Sequence, residues 1–273
     1  GSLNATFTCN ADVVVPPVPV ATDNCPMNTA TVSVLSDVTT PSGVCDDQYV
    51  RVITYVATDE CGNVSAPFTV TITVNDNVAP TWVTVPGSLN ATFTCNADVV
   101  APGLPVATDN CPMNTATVSV LSDVTTPSGV CDDQYVRVIT YVATDECGNV
   151  SAPFTVTITV NDNVAPTWVT VPGSLNATFT CNADVVAPGL PVATDNCPMN
   201  TATVSVLSDV TTPSGVCDDQ YVRVITYVAT DECGNVSLPF TVTITVNDNV
   251  APTWVTAPGS LNATFTCNAD VVV

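Results

Sequence analysis

Residues 67–74 read PFTVTITV, a stretch in which apolar residues alternate with threonines. Alternation with a period of two residues is typical of a β-strand that has one face in a core and the other in water. The same stretch recurs at 153–160 and at 239–246. The sequence therefore predicts an all-β fold in which one strand pattern is used repeatedly.

The repeat extends well beyond this strand. The segment GSLNATFTCNADVV begins at Gly1, Gly87, Gly173 and Gly259, which gives a repeat of 86 residues. We call residues 1–86 copy 1, residues 87–172 copy 2 and residues 173–258 copy 3. Because the copies are almost identical, we expect one structural unit written three times, in a segment of a longer array.

Other short strands are predicted within each copy. In copy 1 the clearest are 5–9, 30–35, 49–57 and 82–85, rich in valine and threonine, with shorter candidates at 13–20 and 38–44. No stretch has helical spacing of apolar residues. About seven short strands per copy predict an immunoglobulin-like antiparallel β-sandwich.

The segment NDNVAP at residues 75–80 interrupts the alternation and is interpreted as a linker between modules. Prolines and Asx residues are typical of such connections. This boundary predicts four pieces. They are an immunoglobulin-like module at 1–77 that lacks its first strand, complete modules at 78–163 and 164–249, and the start of a fourth module at 250–273.

The composition excludes several classes of function. The chain has 25 acidic residues against three basic ones, a net charge of −22 that repels nucleic acid and anionic lipid. It has no histidine, which excludes Ser-His-Asp catalysis and histidine-ligated metals. No apolar run is long enough to span a membrane. We expect neither an enzyme nor a nucleic-acid-binding protein.

Each copy has four cysteines, at positions 9, 25, 45 and 61 in copy 1, and Cys267 is left over. Even numbers without histidine indicate disulfides in an oxidising, extracellular compartment. Four cysteines allow three pairings, and we favour the one in which both intervals are 16 residues. The predicted disulfides are Cys9–Cys25, Cys45–Cys61, Cys95–Cys111, Cys131–Cys147, Cys181–Cys197 and Cys217–Cys233.

The segments ATDNC at 21–25 and ATDECGN at 57–63, followed by FTVTITVND at 68–76, resemble hyalin-repeat and bacterial immunoglobulin-like modules. The resemblance implies tandem sandwiches in large bacterial cell-surface adhesins. It implies as partners the adjacent modules of the same chain and other copies in a fibre. It does not by itself imply a ligand.

The linker NDNVAP also resembles the calcium-binding NDNAP linker of cadherins. Calcium prefers six to eight oxygen ligands, which Asp and Asn supply, so calcium is the candidate cofactor. The alternative is that these residues only form Asx turns. The candidate ligands are Asn75, Asp76, Asn77, Asp109, Asp145 and Glu146 at the first junction, and Asn161, Asp162, Asn163, Asp195, Asp231 and Glu232 at the second.

The sequence does not decide how two side chains, Arg51 and Trp82, are packed. Ile53, Tyr55 and Ala57 are interpreted as the core face of their strand, which leaves Arg51 at an expected inward position. Trp82, just after the linker, either wedges between modules or fills its own sandwich.

The leading hypothesis is the structural repeat region of an extracellular bacterial filament or adhesin stalk, extended and stabilised by disulfides. A scaffold needs the same unit many times, whereas catalysis needs one good site. The alternative is a calcium-dependent adhesion module that binds a partner protein or glycan.

Overall fold

The computed structural model describes residues 3–25, 29–112, 115–198 and 201–264. The chain divides into two compact units, Gly1–Asp162 and Asn163–Val273, which are considered separately. Cys267 lies outside the described residues.

Strands dominate both units. In the described residues the first unit has ten strands: β1 Ala5–Phe7, β2 Thr31–Pro41, β3 Gln48–Thr58, β4 Phe68–Asn75, β5 Thr81–Trp82, β6 Ala91–Phe93, β7 Ala107–Thr108, β8 Thr117–Pro127, β9 Gln134–Thr144 and β10 Phe154–Asn161. The second unit has six: β11 Thr167–Trp168, β12 Ala177–Phe179, β13 Ala193–Thr194, β14 Thr203–Pro213, β15 Gln220–Thr230 and β16 Phe240–Asn247. Three single-turn 3-10 helices follow the short strands at Asn10–Asp12, Asn96–Asp98 and Asn182–Asp184. None of the helices in the described ranges is long and apolar enough to cross a membrane.

Each copy forms a four-stranded sheet with the order β1-β4-β3-β2 in copy 1 and β6-β10-β9-β8 in copy 2. The short first strand pairs parallel with the last strand, and the other pairings are antiparallel. β5, at the end of copy 1, pairs with β7 of copy 2 in a second, two-stranded sheet. The second unit repeats this plan with β12-β16-β15-β14 and β11–β13. The all-β fold of tandem immunoglobulin-like β-sandwiches is confirmed.

The core is built from the alternating strand that suggested the fold. Val70, Ile72 and Val74 are almost completely buried, while the intervening threonines remain at least partly accessible. Ile53 and Tyr55 on β3 lie in the same cluster, so the predicted core face of that strand is confirmed there. Each fully buried aliphatic side chain of this size contributes about 1.5 to 3 kcal/mol through removal of apolar surface from water.

Arg51 lies on the same face of β3 as Ile53 and Tyr55, but its side chain is partly accessible. Its guanidinium donates two hydrogen bonds to the Asp37 carboxylate, at 2.8 and 2.6 Å. This arginine lowers the pKa of Asp37 mainly through the hydrogen bond between their side chains. The inward position of Arg51 is thus compensated by a cross-strand ion pair.

Two strand predictions were wrong in detail. The stretches 30–35 and 38–44 are not separate strands but one long strand, β2, with a register shift between Val34 and Ser36. Within the described residues, 13–20 contains no strand. Pro16, Pro17 and Pro19 explain this, because proline has no N–H to donate to a sheet.

The register fixes which loops share an end of the sandwich. Gln48 at the start of β3 is opposite Asn75 at the end of β4, whereas Tyr55 is opposite Phe68 near the other end. We call the end near Asn75 the linker pole and the end near Phe68 the loop pole. Since β3 has 11 residues, the two poles are separated by about 30 Å at roughly 3.3 Å per residue.

Candidate metal centre at a disulfide-linked junction

The junction between copies 1 and 2 lies within the first unit and carries two disulfides. Cys9 is bonded to Cys111 and Cys45 to Cys147, each pair 102 residues apart in sequence. The Cα atoms are 5.2 and 5.1 Å apart, within the usual range for a disulfide. One cysteine of each pair belongs to copy 1 and the other to copy 2. The copies are therefore joined covalently at two points.

The predicted pairings within a copy are wrong. Cys9 follows β1 and Cys45 precedes β3, so both lie at the linker pole. The position-25 and position-61 cysteines lie in loops at the loop pole, where β2 begins and β3 ends. A disulfide within one copy would have to bridge about 30 Å, whereas Cα atoms of bonded cysteines are about 4.4 to 6.8 Å apart.

The predicted and observed disulfide partners differ by one repeat. A separation of 102 residues is one 86-residue repeat plus 16, so Cys9 and Cys45 each pair with the predicted type of cysteine in copy 2 instead of in copy 1. Cys9–Cys25, Cys45–Cys61, Cys95–Cys111 and Cys131–Cys147 are excluded by the observed bonds. Within the described ranges Cys25, Cys61, Cys181 and Cys217 are exposed free thiols. This excludes Cys181–Cys197 and Cys217–Cys233 as well, although Cys95, Cys131, Cys197 and Cys233 are themselves disulfide-bonded.

The beginning of the linker is held by the loop that precedes β3. The Asp76 N–H donates to the Asp47 carbonyl at 3.0 Å, and the Gln48 side-chain amide donates to the Asp76 carbonyl at 3.3 Å. Asp47 is buried, and its carboxylate accepts a hydrogen bond from the Asn10 N–H. Asp47 therefore organises the linker pole.

Asp76 is the central side chain of the junction. It is 1% exposed, and one carboxylate oxygen accepts the Val78 N–H at 3.1 Å in an Asx turn. The other oxygen, Oδ2, is buried and has no hydrogen-bond partner among the described residues. Ionised groups buried without a partner are costly, so this oxygen requires a proton or a cation.

A second carboxylate in the same condition faces Asp76 from copy 2. Asp109 accepts the Cys111 N–H at 3.0 Å through Oδ2, while its Oδ1 is buried and lacks a partner in the described part of the chain. One ligand atom from each of Asp76, Asp109 and Cys111 lies within 4.8 Å of the others. Because Cys111 is in a disulfide, the two carboxylates are the anionic donors of this group.

Asp145 completes the acidic group. Both of its carboxylate oxygens accept hydrogen bonds from Asn149, whose side-chain amide also donates to the Asp76 carbonyl at 3.3 Å. Burial is the main cause that raises the pKa of Asp76, and the negative charges of Asp109 and Asp145 raise it further. The hydrogen bond from the Val78 N–H opposes this rise. A divalent cation would relieve the strain between these charges.

Part of the first predicted ligand set is brought together. Ligand atoms of Asp76 and Asp109 lie within 4.8 Å of each other, and Asp145 is linked to Asp76 through Asn149, but Asn75 and Asn77 are exposed. Glu146 is also exposed and lines a separate cleft with Asp46 and Asp47. The second set is divided, with Asn161 and Asp162 in the first unit and Asn163, Asp195, Asp231 and Glu232 in the second. It stays a prediction based on the repeat.

Trp82 does not act as a wedge between modules, because it lies in module 78–163 and packs within that module. Its ring lies 5.1 Å from that of Phe154, and its indole N–H donates to the Ala152 carbonyl at 2.7 Å. It packs against the core cluster of copy 2. Of the two interpretations of this residue, filling its own sandwich is the correct one.

The fold and the junction define a chain of tandem immunoglobulin-like sandwiches in which copies 1 and 2 are covalently joined. Neither a protein-family model nor a curated protein sequence matches the chain.

Among solved structures, a three-domain fragment of Drosophila N-cadherin matches with 12% identity and a TM-score of 0.39, covering 90% of this chain and 98% of that one. Four extracellular domains of protocadherin gamma B7 match with 12% identity and a TM-score of 0.31, covering 89% and 74%. The sialic acid binding region of a Streptococcus sanguinis adhesin matches with 15% identity and a TM-score of 0.23, covering 74% and 56%. Values this low carry no argument about this chain.

Proposed function

We propose that this chain is a structural repeat region of an extracellular stalk or filament, with modules at 1–77, 78–163 and 164–249 and the start of another at 250–273. The observation that carries the proposal is that Cys9–Cys111 and Cys45–Cys147 join different copies. A disulfide within a module stabilises only that module. Two disulfides between modules also fix the joint, which a load-bearing or extended array requires.

An oxidising environment is part of the same proposal. Of the 12 cysteines in the described residues, eight are in disulfides, and such bonds persist outside the cytosol. The resemblance to hyalin-repeat and bacterial immunoglobulin-like modules agrees with an extracellular, cell-surface location. Attachment to a cell surface stays a prediction.

Single-molecule stretching of the whole chain tests the stalk. The bond between Cys9 and Cys111 removes the 102 residues between them from the path of the force. At about 3.4 Å per residue this hides roughly 340 Å of contour length. Adding a reductant should release that length, whereas bonds within copies would hide only short loops. Equal extension with and without reductant would contradict the proposal.

The unpartnered oxygens of Asp76 and Asp109 favour a second role, calcium binding at the joint. Two buried carboxylates fit a hard cation that prefers oxygen ligands. Asp76, Asp109 and Asp145 would hold the ion, which would neutralise their charges and fix copy 1 against copy 2. Calcium-dependent adhesion to a partner protein or glycan would be built on such a joint.

Calcium titration followed by thermal melting tests this role. The stalk with calcium at its joints should melt at a higher temperature with calcium than with a chelator. A stalk that needs no metal should melt alike in both conditions. The adhesion partner itself has no residue in the described structure that identifies it and stays a prediction.

A further inference from the structure

The disulfide between Cys9 and Cys111 lies directly beside the acidic site of the first junction. The Cys111 sulfur lies within 4.8 Å of a carboxylate oxygen of Asp76 and of one of Asp109. Both bonded cysteines are only 1% exposed. A reductant can therefore reach the two sulfurs only when the junction opens.

Asp109 is held in place by the bonded cysteine itself. Its Oδ2 accepts the Cys111 N–H at 3.0 Å. The side-chain amide of the intervening Asn110 donates to both sulfurs, to Cys9 Sγ at 3.1 Å and to Cys111 Sγ at 3.2 Å. Residues 109–111 are thus fixed to the disulfide, and the Asp109 carboxylate takes its position from this bond.

Asp76 is connected to the other end of the same bond. Its N–H donates to the Asp47 carbonyl at 3.0 Å. The buried Asp47 carboxylate accepts the N–H of Asn10, which directly follows Cys9 in the chain. One path of contacts therefore leads from Asp76 through Asp47 and the disulfide to Asp109. The disulfide is the step in this path that crosses from copy 1 to copy 2.

The buried oxygens at the two ends of this path indicate a ligand between them. Asp76 Oδ2 and Asp109 Oδ1 are both buried and have no hydrogen-bond partner in the described ranges. Two carboxylates held this close repel each other unless a cation or a proton lies between them. If the disulfide were broken, the two carboxylates would be free to separate and to become hydrated.

We propose that the Cys9–Cys111 disulfide is coupled to calcium binding at Asp76 and Asp109, so that the bond builds the calcium site and bound calcium protects the bond from reduction. The inference rests on the proposed role of calcium at this joint. Such coupling is reciprocal. The factor by which the bond raises the affinity for calcium therefore equals the factor by which saturating calcium favours the bond over its two thiols.

Reduction of the bond is a two-electron step. Dithiothreitol attacks as a thiolate, the bond between the sulfurs of Cys9 and Cys111 breaks, and each sulfur gains one electron and one proton. Dithiothreitol supplies both and becomes its cyclic disulfide. Calcium bound by both carboxylates opposes the opening that exposes the sulfurs. The proposed stalk would thus release this junction only where calcium is scarce and a reductant is present.

Calcium titration of disulfide variants tests one direction of the coupling. All proteins carry Asp162→Asn, which removes a ligand of the second predicted set. Calcium affinity is measured by isothermal titration calorimetry on the protein with its disulfides intact and on the variant Cys9→Ser with Cys111→Ser. The variant should bind calcium about tenfold more weakly or worse, because coupled sites typically differ by about 5- to 150-fold. Circular dichroism checks that the variant is folded.

The matched control is Cys45→Ser with Cys147→Ser. This pair also removes a bond between copies 1 and 2, but in the described part of the chain it contributes no atom to the group around Asp76. Its calcium affinity should fall by less than about fivefold. An equal fall in both double variants would show a general loosening of the joint and would overturn the inference.

Equilibrium reduction tests the other direction and does not depend on how the serine variants fold. The protein is equilibrated in dithiothreitol redox buffers with saturating calcium or with a chelator. Free thiols are alkylated, and peptide mapping gives the oxidised fraction of Cys9–Cys111 and of Cys45–Cys147 separately. Calcium should favour the Cys9–Cys111 bond by about tenfold or more, which is about 30 mV for two electrons. The shift should be smaller for Cys45–Cys147.

Asp76→Asn should abolish the effect of calcium on the Cys9–Cys111 bond. A shift that persists in this variant, or a midpoint that calcium leaves unchanged, would overturn the inference. If calcium binds equally well with and without the bond, only the coupling fails and the calcium role stands. If calcium does not bind the oxidised protein at all, the calcium role fails and the coupling fails with it.

Discussion

Cys9 and Cys111 are directly bonded although 102 residues separate them, so the first β-strand of copy 1 is covalently attached to a loop of copy 2. The second bond, Cys45–Cys147, attaches the loop before β3 in the same way. Neither copy can rotate or separate from the other at this junction without distorting both attachments. The acidic site between the copies is therefore enclosed by two covalent links.

Removal of one junction disulfide should destabilise the protein substantially. A cross-link that closes a loop of about 100 residues stabilises by about 4 to 5 kcal/mol in the chain-entropy model. We expect Cys45→Ser with Cys147→Ser to reduce the free energy of unfolding by up to that amount, measured by denaturant titration under non-reducing conditions. Cys25→Ser with Cys61→Ser is the matched control, because these thiols are free in the described structure. An equal loss in both variants would place the stabilising bonds elsewhere.

The fold could be predicted from the sequence because one short pattern determines it. Alternation in residues 67–74 gave the strand, its buried face and its place in every copy. The disulfide partners could not be predicted from spacing. Cysteines that lie 16 and 102 residues further along the chain occupy the same position in the 86-residue repeat. Strand direction decides between them. Cys45 and Cys61 flank the 11-residue strand β3 and so lie at opposite poles.

Calcium should stabilise the wild-type chain and not variants of the junction acids. At a calcium concentration one hundred times the dissociation constant, binding stabilises the folded state by about 2.7 kcal/mol. We expect Asp76→Asn or Asp109→Asn to abolish most of the calcium-dependent rise in melting temperature, measured by calorimetry. Asp12→Asn, at an exposed position, should leave that rise intact. If the calcium-dependent rise in melting temperature persists in both junction variants, calcium does not bind at this site.

The stability of the calcium-free protein should depend on pH through Asp76. Its pKa is raised in the folded state, chiefly by burial, so the folded protein binds the proton more tightly than the unfolded chain. This contribution is fully present below the ordinary Asp pKa of about 3.9 and is lost as pH rises through the folded value. The melting temperature of the wild type relative to Asp76→Asn should therefore increase as pH falls from 7 towards 4 in the presence of a chelator.

The comparison with Asp76→Asn isolates this effect. Arg51 lowers the pKa of Asp37, which gives the opposite trend with pH, but that ion pair is present in both proteins and cancels. Excess calcium should weaken this dependence on pH, because the cation stabilises the wild type at neutral pH, where the Asp76 carboxylate is ionised, and competes with the proton at lower pH. If the melting temperatures of the wild type and of Asp76→Asn change in parallel with pH, Asp76 does not titrate in this pH range.

The metal centre was only partly predictable. The linker motif identified Asp76, and the topology of the fold placed Asp109 and Asp145 near it. Which oxygens lack a partner depends on local hydrogen bonds that no motif encodes. Asn149 occupies both oxygens of Asp145, while Asp76 and Asp109 each retain one unpartnered oxygen within the described residues.

Two of the three tryptophans at equivalent positions, Trp82 and Trp254, offer a matched pair for the packing of the sandwich. Trp82 covers Phe154 and donates to the Ala152 carbonyl, whereas Trp254 is 92% exposed. Large-to-small substitution of a packed aromatic costs about 3 to 5 kcal/mol, towards the lower end where the side chain is partly accessible. We expect Trp82→Ala to reduce the stability of copy 2 by about 3 kcal/mol and Trp254→Ala to change the stability of the monomeric chain by less than about 0.5 kcal/mol. Denaturant unfolding of dilute protein, where chains do not associate, measures both values. Similar losses in the two variants would mean that Trp254 is also packed within its own chain.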